Sequence, residues 1–264
     1  MFSDILLTVD YDRTLTAPDS TIPQRNLEAI RYFMDNGGKF TVCTGRIYQG
    51  FHLYSPEYIN APVLLGNGAM AYDYEKNKVI FNDAIEYEGL PAVNAVLKAF
   101  PDISIEFYNF EKVCAVNLNK HSEQHFTSQG INFEIVTKPE EAPLPWTKVM
   151  IAAHGCSQEV QEILEKHPEI NYLKTTGNYV EILKKGVDKG TGLLKLAEAL
   201  GCRQKDTYAA GDGYNDVEML VASNGGFVPK NGSEEDLAVA KYVTRSNNDG
   251  CIAHAIEILD EIYK

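Results

Sequence analysis

The chain has 264 residues, of which 44% are hydrophobic and 23% charged, so it has enough apolar material for a sizeable core and is not a disordered chain. Its 24 basic and 37 acidic residues leave a formal charge of −13, which argues against nucleic acid or an anionic membrane surface as a partner. The five cysteines form no CxxC pair, so we expect a cytoplasmic protein without disulfides or structural zinc. No apolar run approaches the roughly 18 residues that cross a bilayer, and we expect no signal peptide or membrane anchor.

The first predicted elements alternate strand, helix and strand. The apolar run Ile5–Val9 predicts a buried strand that ends in a polar loop. Apolar residues then recur at three-to-four spacing, which predicts a helix that begins near Pro23 and ends at Gly37. Lys39–Cys43 predicts the second strand, so this region forms one βαβ unit with a parallel pair.

A change of pattern near residue 82 marks a predicted domain boundary. Before it, Ala61–Leu65 predicts a strand and Ala71–Phe81 a hairpin, with a turn at Gly66–Gly68 between them. After it, strand-like and helical runs alternate less regularly, which indicates a separate α+β module over residues 83–185. Its predicted strands are Ile103–Tyr108, Val113–Leu118, Val149–Ala153 and Tyr179–Leu183, and its predicted helices are Leu90–Ala99 and Gln158–Lys166.

Regular strand and helix alternation returns after residue 185. The predicted elements are the helix Lys189–Leu200, the strand Thr207–Ala210, the helix Val217–Ala222, the strand Gly226–Val228 and the helix Ile252–Ile262. The prediction is therefore an α/β core of residues 1–82 and 186–264, with a parallel sheet and helices on both faces, interrupted by an inserted α/β domain of residues 83–185.

Two acidic residues follow the first predicted strand. Open parallel sheets bind their ligands outside the carboxyl ends of the strands, where Asp10 and Asp12 would lie. Two carboxylates close together repel each other unless a cation joins them, and oxygen ligands favour Mg²⁺. The alternative interpretation is that this Asp-x-Asp pair only ends a strand in a solvated turn.

Three further segments carry groups that suit a phosphoryl ligand. Thr44 and Gly45 follow the second strand and offer a hydroxyl and an unhindered backbone, although such a turn also caps helices. Lys189 begins a predicted helix and adds a cation, unless it is simply solvated. The most specific pattern, Gly211-Asp212-Gly213-Tyr214-Asn215-Asp216, brings two carboxylates and an amide to the end of another strand.

These four segments together resemble the motifs of the haloacid dehalogenase-like phosphatases, in particular the Cof-type members. In chain order they are "DYDRTLT", "TGR", "DKG" and "GDGYNDVEML", and "GNGA" and "YVTRSNNDG" are also typical of that family. The resemblance covers both ends of the chain. It implies a Rossmann-like core with a cap domain inserted after the second motif, since 31 residues lie between Asp12 and Thr44 but 144 between Thr44 and Lys189.

The resemblance also implies a role for each motif residue. Asp10 would be the nucleophile that forms an aspartyl-phosphate, and Asp12 the acid and base. Mg²⁺ would be held by Asp10, the Asp12 carbonyl oxygen and Asp212, with Asp216 acting through water or through Lys189. The phosphoryl oxygens would be held by the Thr44 hydroxyl, the Gly45 amide, Lys189 and Asn215.

The implied activity is Mg²⁺-dependent hydrolysis of small phosphorylated metabolites, sugar phosphates before pyridoxal phosphate or flavin mononucleotide, by a monomer or small homo-oligomer. Two alternatives remain open at this stage. One is a phosphomutase or phosphotransferase that uses the same intermediate, and the other is a non-catalytic relative that binds a phosphorylated ligand.

Arg13 departs from the family pattern, in which glycine follows the second aspartate. If the position needs a positive φ, arginine is strained by about 1–3 kcal/mol, and if it does not, the guanidinium can bind an anionic substrate. We expect the relaxed backbone. Phe227–Gly232 also differs from the family pattern, and His121 and His125 are interpreted as a solvated helical pair rather than half of a metal site.

Overall fold

The computed structural model describes residues 1–174 and 178–264, which form two compact units. The first unit comprises Met1–Gly45, Leu53–Phe81 and Asp188–Lys264. The second unit comprises Arg46–His52 and Asn82–Val187. The residues predicted to carry the chemistry all belong to the first unit.

Strands and helices alternate along most of the chain. The strands are β1 Leu6–Val9, β2 Lys39–Val42, β3 Val63–Leu65, β4 Met70–Asp73, β5 Lys78–Asn82, β6 Ile105–Tyr108, β7 Val113–Val116, β8 Glu134–Ile135, β9 Lys148–Ala152, β10 Ile170–Lys174, β11 Tyr179–Lys184, β12 Thr207–Ala210, β13 Gly225–Pro229 and β14 Tyr242–Thr244. The helices are α1 Gln24–Asp35, α2 Leu90–Ala99, α3 Lys120–Gln129, α4 Ser157–Leu164, α5 Lys189–Ala199, α6 Val217–Ala222, α7 Glu234–Val239 and α8 Cys251–Tyr263.

The first unit is built on a five-stranded sheet with the order β14-β13-β12-β1-β2. Every neighbouring pair in this sheet is parallel. Parallel strands end at a common edge, so the residues that follow β1, β2 and β12 come together there. A smaller sheet, β3-β4-β5, completes the unit. The predicted α/β class with a parallel sheet flanked by helices is confirmed.

Helices cover the parallel sheet in two groups. Helix α1 packs with α8, and α5 packs with α6. Leu6 of β1 is buried in one core cluster with Leu193 and Leu196 of α5 and Met219 of α6. Because side chains alternate across a strand, this cluster uses one face of β1 and packs α5 against the sheet.

The second unit contains a six-stranded, mainly antiparallel sheet with the order β10-β11-β9-β6-β7-β8. Helices α2 and α4 pack together over a core that includes Phe107 and the fully buried Trp146. These two rings are in contact, with centroids 4.7 Å apart. This unit is an α+β module with its own hydrophobic core.

Most predicted elements are confirmed, and the exceptions are short or polar. Helices α2 and α6 and strand β12 have the predicted bounds. Strands β8, β10 and β14 and helices α3 and α7 were not predicted, apart from the interpretation of His121 and His125 of α3 as a helical pair. β8 has only two residues, both exposed, and α7 only six, so neither carries a periodic apolar signal. No helix within residues 1–174 and 178–264 has the length and apolar character needed to cross a membrane.

Candidate active site

Three parallel strands deliver site residues to one edge of the sheet. Asp10 follows β1, Thr44 lies two residues after β2, and Asp212 lies two residues after β12. All three are buried. The strand pairing therefore brings together side chains that are far apart in the sequence.

Lys189 joins two of the predicted carboxylates. Its Nζ lies 2.6 Å from Asp10 Oδ1 and 2.6 Å from Asp216 Oδ1, and its side chain is fully buried. Burial by itself lowers the pKa of Lys189, but the charges of Asp10 and Asp216 hold that pKa well above its usual value. The amine is therefore a fixed positive charge between two acids.

The start of α5 holds Lys189 in place. Asp188 caps the helix, because its side chain accepts a hydrogen bond of 2.7 Å from Thr191 N. The Thr191 hydroxyl in turn accepts a bond of 2.9 Å from Asp188 N. This reciprocal capping box fixes the first turn, of which Lys189 is the first residue.

The carboxylates of Asp10, Asp212 and Asp216 form a buried cluster. One oxygen from each lies within 4.8 Å of the others. Burial raises the pKa of Asp10 well above its usual value, although Lys189 opposes the shift, and burial likewise raises the pKa of Asp212. Three acids against one lysine leave an excess of negative charge, and an all-oxygen donor set suits Mg²⁺. The residues present fit a divalent cation.

Asp216 also orders the loop that carries Asp212. Its Oδ2 accepts bonds from the backbone N–H groups of Asp212, at 3.1 Å, and Gly213, at 3.0 Å. Its Oδ1 accepts from Lys189. Both oxygens of Asp216 thus already hold donors, so this residue orients its neighbours, as expected if it acts through Lys189.

The predicted phosphate-binding residues lie at the same edge. Thr44 is buried, and its backbone N donates to Leu64 O at 2.9 Å. The Asn215 side chain donates to Asn67 Oδ1 at 3.1 Å, and Asn67 lies against Gly45. The structure therefore brings Thr44, Gly45 and Asn215 together around a residue to which sequence reasoning assigned no role.

Two other neighbours of the acidic cluster were missed. The Thr14 hydroxyl donates to Asp212 Oδ1 at 2.6 Å. Asp236 is fully buried on α7, and burial, with the charges of Asp216 and Asp212, raises its pKa to about 7. Thr14 belongs to the "DYDRTLT" segment and could have been noticed there, whereas nothing in the sequence marks Asp236 as buried.

The expectation of a relaxed Arg13 is wrong. Arg13 has φ 67° and ψ −2°, in the left-handed region that favours glycine. Its guanidinium nevertheless lies near the site, with Nε 3.7 Å from Asp212 Oδ2, and it is largely exposed. Asp12, one residue earlier, is also exposed and non-helical.

We expect Arg13→Gly to stabilise the protein. A left-handed conformation destabilises a non-glycine residue by about 1–2 kcal/mol. Glycine avoids this strain, but it loses more conformational entropy on folding, which offsets about 0.5–1 kcal/mol of the gain. The free energy of unfolding should therefore rise by up to about 1 kcal/mol, measured by chemical denaturation.

Ser20→Gly is the matched control, because Ser20 is exposed and has φ 65° in the same unit. If the free energy of unfolding rises less in Arg13→Gly than in Ser20→Gly, the difference measures the stabilisation by the ion pair between Arg13 and Asp212. A loss of more than about 1 kcal/mol in Arg13→Gly would contradict the strain, because an exposed ion pair contributes less than that.

The interpretation of His125 as solvated is also wrong. His125 Nδ1 lies 2.9 Å from Oε2 of the fully buried Glu106, and Tyr108 donates to the same oxygen. His121 stacks on His154 with ring centroids 3.6 Å apart. These histidines of α3 pack within the second unit, because α3 covers the sheet face that carries Glu106 and Tyr108.

Comparisons with known proteins identify the family. Residues 7–256 match the family model of the haloacid dehalogenase-like hydrolases. The chain is 27% identical over 268 residues to 5-amino-6-(5-phospho-D-ribitylamino)uracil phosphatase YitU of Bacillus subtilis, covering 96% of each. It is 25% identical over 270 residues to pyridoxal phosphate phosphatase YbhA of Escherichia coli, covering 95% of this chain and 97% of YbhA.

The fold is shared with solved structures. The subclass IIB sugar phosphatase BT4131 superposes with a TM-score of 0.86 at 22% identity, over 97% of this chain and 99% of that chain.

Proposed function

This chain belongs to the haloacid dehalogenase-like hydrolases, is of the Cof type and is a phosphoric monoester hydrolase, and on that premise we propose Mg²⁺-dependent hydrolysis of small phosphorylated metabolites through an aspartyl-phosphate on Asp10. The observation that carries the proposal is the pair of 2.6 Å contacts from Lys189 to Asp10 and Asp216, within a cluster of three buried carboxylates.

We propose that Asp10 attacks the phosphorus atom. Its carboxylate lies at the end of β1, and its contact with Lys189 restrains the side chain. Attack forms a bond from a carboxylate oxygen to phosphorus, and the leaving oxygen departs with the electron pair. Asp12 donates a proton to that oxygen and then removes one from the water that cleaves the aspartyl-phosphate.

The remaining residues stabilise charge. Lys189, the Thr44 hydroxyl, the Gly45 N–H and the Asn215 amide would hold the phosphoryl oxygens, as donors arranged before the reaction begins. Asp10, the Asp12 carbonyl oxygen and Asp212 would hold Mg²⁺, while Asp216 orients Lys189 and the loop of Asp212. When bound, the ion would offset the repulsion between an anionic nucleophile and an anionic substrate.

We propose that the second unit is the cap domain that selects the leaving group, and that sugar phosphates are the substrate class. Every residue given a chemical role above belongs to the first unit, which leaves the second free for recognition. BT4131, which shares the fold, is named a sugar phosphatase. The five cysteines are all free thiols, which fits the cytoplasmic setting that we propose.

The proposal predicts released phosphate from a panel of phosphorylated metabolites, headed by sugar phosphates. We expect turnover to stop in excess chelator and to return when Mg²⁺ is added, because the acidic cluster needs a counter-ion. The measurement is inorganic phosphate, with product analysis in the absence of a bisphosphate activator. Transfer of the phosphoryl group to a sugar instead of water would indicate a mutase, and no turnover on any ester would indicate a binding protein.

A further inference from the structure

The turn Gly66–Gly68, which follows β3, has no role in the scheme above. Asn67 at its centre is buried, with 1% of its surface exposed, although it is a polar residue in a turn. Its φ of 54° lies in the left-handed region, which asparagine tolerates better than most residues. A buried polar side chain in this conformation needs partners, and its partners identify its role.

Asn67 contacts two of the residues proposed to hold the phosphoryl group and lies beside a third, Gly45. Its backbone N donates to Thr44 O at 3.0 Å. Its Oδ1 accepts from Asn215 Nδ2 at 3.1 Å, and it lies 3.3 Å from the position that a Cβ on Gly45 would occupy. One side chain therefore lies between the segment after β2 and the segment after β12.

Gly68 brings the same turn against the start of α5. A Cβ on Gly68 would lie 2.4 Å from the carbonyl oxygen of Asp188 and 3.2 Å from Lys189 Cα, so only glycine fits. Gly68 has φ 88°, which also favours glycine. The turn thus contacts the segments that carry Thr44, Asn215 and Lys189.

We infer that Asn67 is a positioning residue that holds Asn215 and the Thr44–Gly45 turn in the geometry that binds the phosphoryl group. This inference rests on the proposed function. An amide nitrogen carries two N–H groups, so the bond to Asn67 restrains the Asn215 side chain and leaves a second donor for the substrate. Donors that are oriented before binding lose less entropy on binding and stabilise the transition state more.

The test is a double-mutant cycle with Asn67→Gly and Asn215→Ala, measured on p-nitrophenyl phosphate. Asn67→Gly removes only the side chain, because glycine keeps the left-handed φ and the backbone bond to Thr44. We expect kcat/KM to fall on the order of 10–100-fold, by analogy with the loss of a residue that orients a metal ligand. The loss should be divided between kcat and KM in the same proportion as the loss caused by Asn215→Ala. The kcat/KM of the double variant should be no lower than that of Asn215→Ala alone.

Asn77→Gly is the matched control, because Asn77 also has a positive φ, 49°, in an exposed turn of the same unit. We expect it to keep wild-type kcat/KM. Thermal unfolding of each variant verifies the fold, and Asn67→Ser, whose side chain is too short to reach Asn215, replaces Asn67→Gly if that variant does not fold.

Provided that the wild type releases phosphate, two results overturn the inference. One is that the falls in kcat/KM of the two single variants multiply in the double variant, and the other is that the kcat/KM of Asn67→Gly stays within two-fold of the wild type. If the wild type releases none, the proposed function and this inference fail together. The wild-type measurement therefore shows whether the proposed function fails, and the variants show whether this inference fails while the proposed function stands.

Discussion

Asp10→Asn is expected to abolish phosphate release, with kcat reduced by about 10⁴-fold or more, the scale seen when a covalent nucleophile is removed. The amide has the shape of the carboxylate, but it lacks the charge and the nucleophilic oxygen needed to attack phosphorus. Its oxygen can still accept the hydrogen bond from Lys189, so the fold should persist. The measurements are phosphate release and thermal unfolding of the same preparation.

Asp73→Asn is the matched control. Asp73 is a buried aspartate of the first unit that pairs with a lysine, Lys76, at 2.8 Å, but it lies outside the acidic cluster. We expect it to retain wild-type turnover. Full activity in Asp10→Asn, or equal losses in both variants, would contradict the role of Asp10.

A trapping experiment separates the two proposed roles of Asp10 and Asp12. With an activated ester the leaving group needs no proton, so Asp12→Asn should still allow attack but should slow the hydrolysis of the aspartyl-phosphate. Labelled phosphate should therefore accumulate on Asp12→Asn protein, be released by hydroxylamine, and be absent from Asp10→Asn. Label on Asp10→Asn would place the nucleophile elsewhere.

The convergence of the site residues could be predicted from sequence because it depends on strand pairing. Short apolar runs mark β1, β2 and β12, and Asp10, Thr44 and Asp212 each follow one of them. Once the strands are parallel, their carboxyl ends meet, whatever the distance along the chain. The ion pair between Lys189 and Asp10 joins residues 179 positions apart, which the resemblance to the family motifs had already assigned to one site.

Contacts between side chains of different motifs could not be predicted in this way. Asn67 and Asn215 are 148 positions apart, and Thr14 and Asp212 are 198 apart. Which atoms of these residues meet depends on rotamers and loop paths that no periodicity encodes. The backbone of Arg13 is a similar case, because its φ of 67° is imposed by the turn between β1 and α1 and not by arginine itself.

Lys189→Met tests the energetic role of the lysine. We expect this substitution to lower the free energy of unfolding by about 3–5 kcal/mol near pH 8 in the presence of chelator. The reason is that it leaves buried carboxylates without a counter-charge. Lys76→Met is the matched control. Lys76 forms a similar pair with Asp73 at 2.8 Å, but its side chain is 72% exposed. Exposed pairs contribute roughly 0–1 kcal/mol, so its loss should be small.

The pH dependence of this deficit gives the sharper measurement. Burial raises the pKa of Asp10 in the folded protein, and removing Lys189 removes the interaction that opposes the shift. An acid whose folded pKa is raised contributes stability that is present below its unfolded pKa, about 3.9, and is lost as pH rises through the folded pKa. The deficit of Lys189→Met relative to wild type should therefore shrink from pH 8 to pH 5, as Asp10 takes up a proton. A deficit that is equal at the two pH values, or absent at pH 8, would show that Lys189 does not balance these carboxylates.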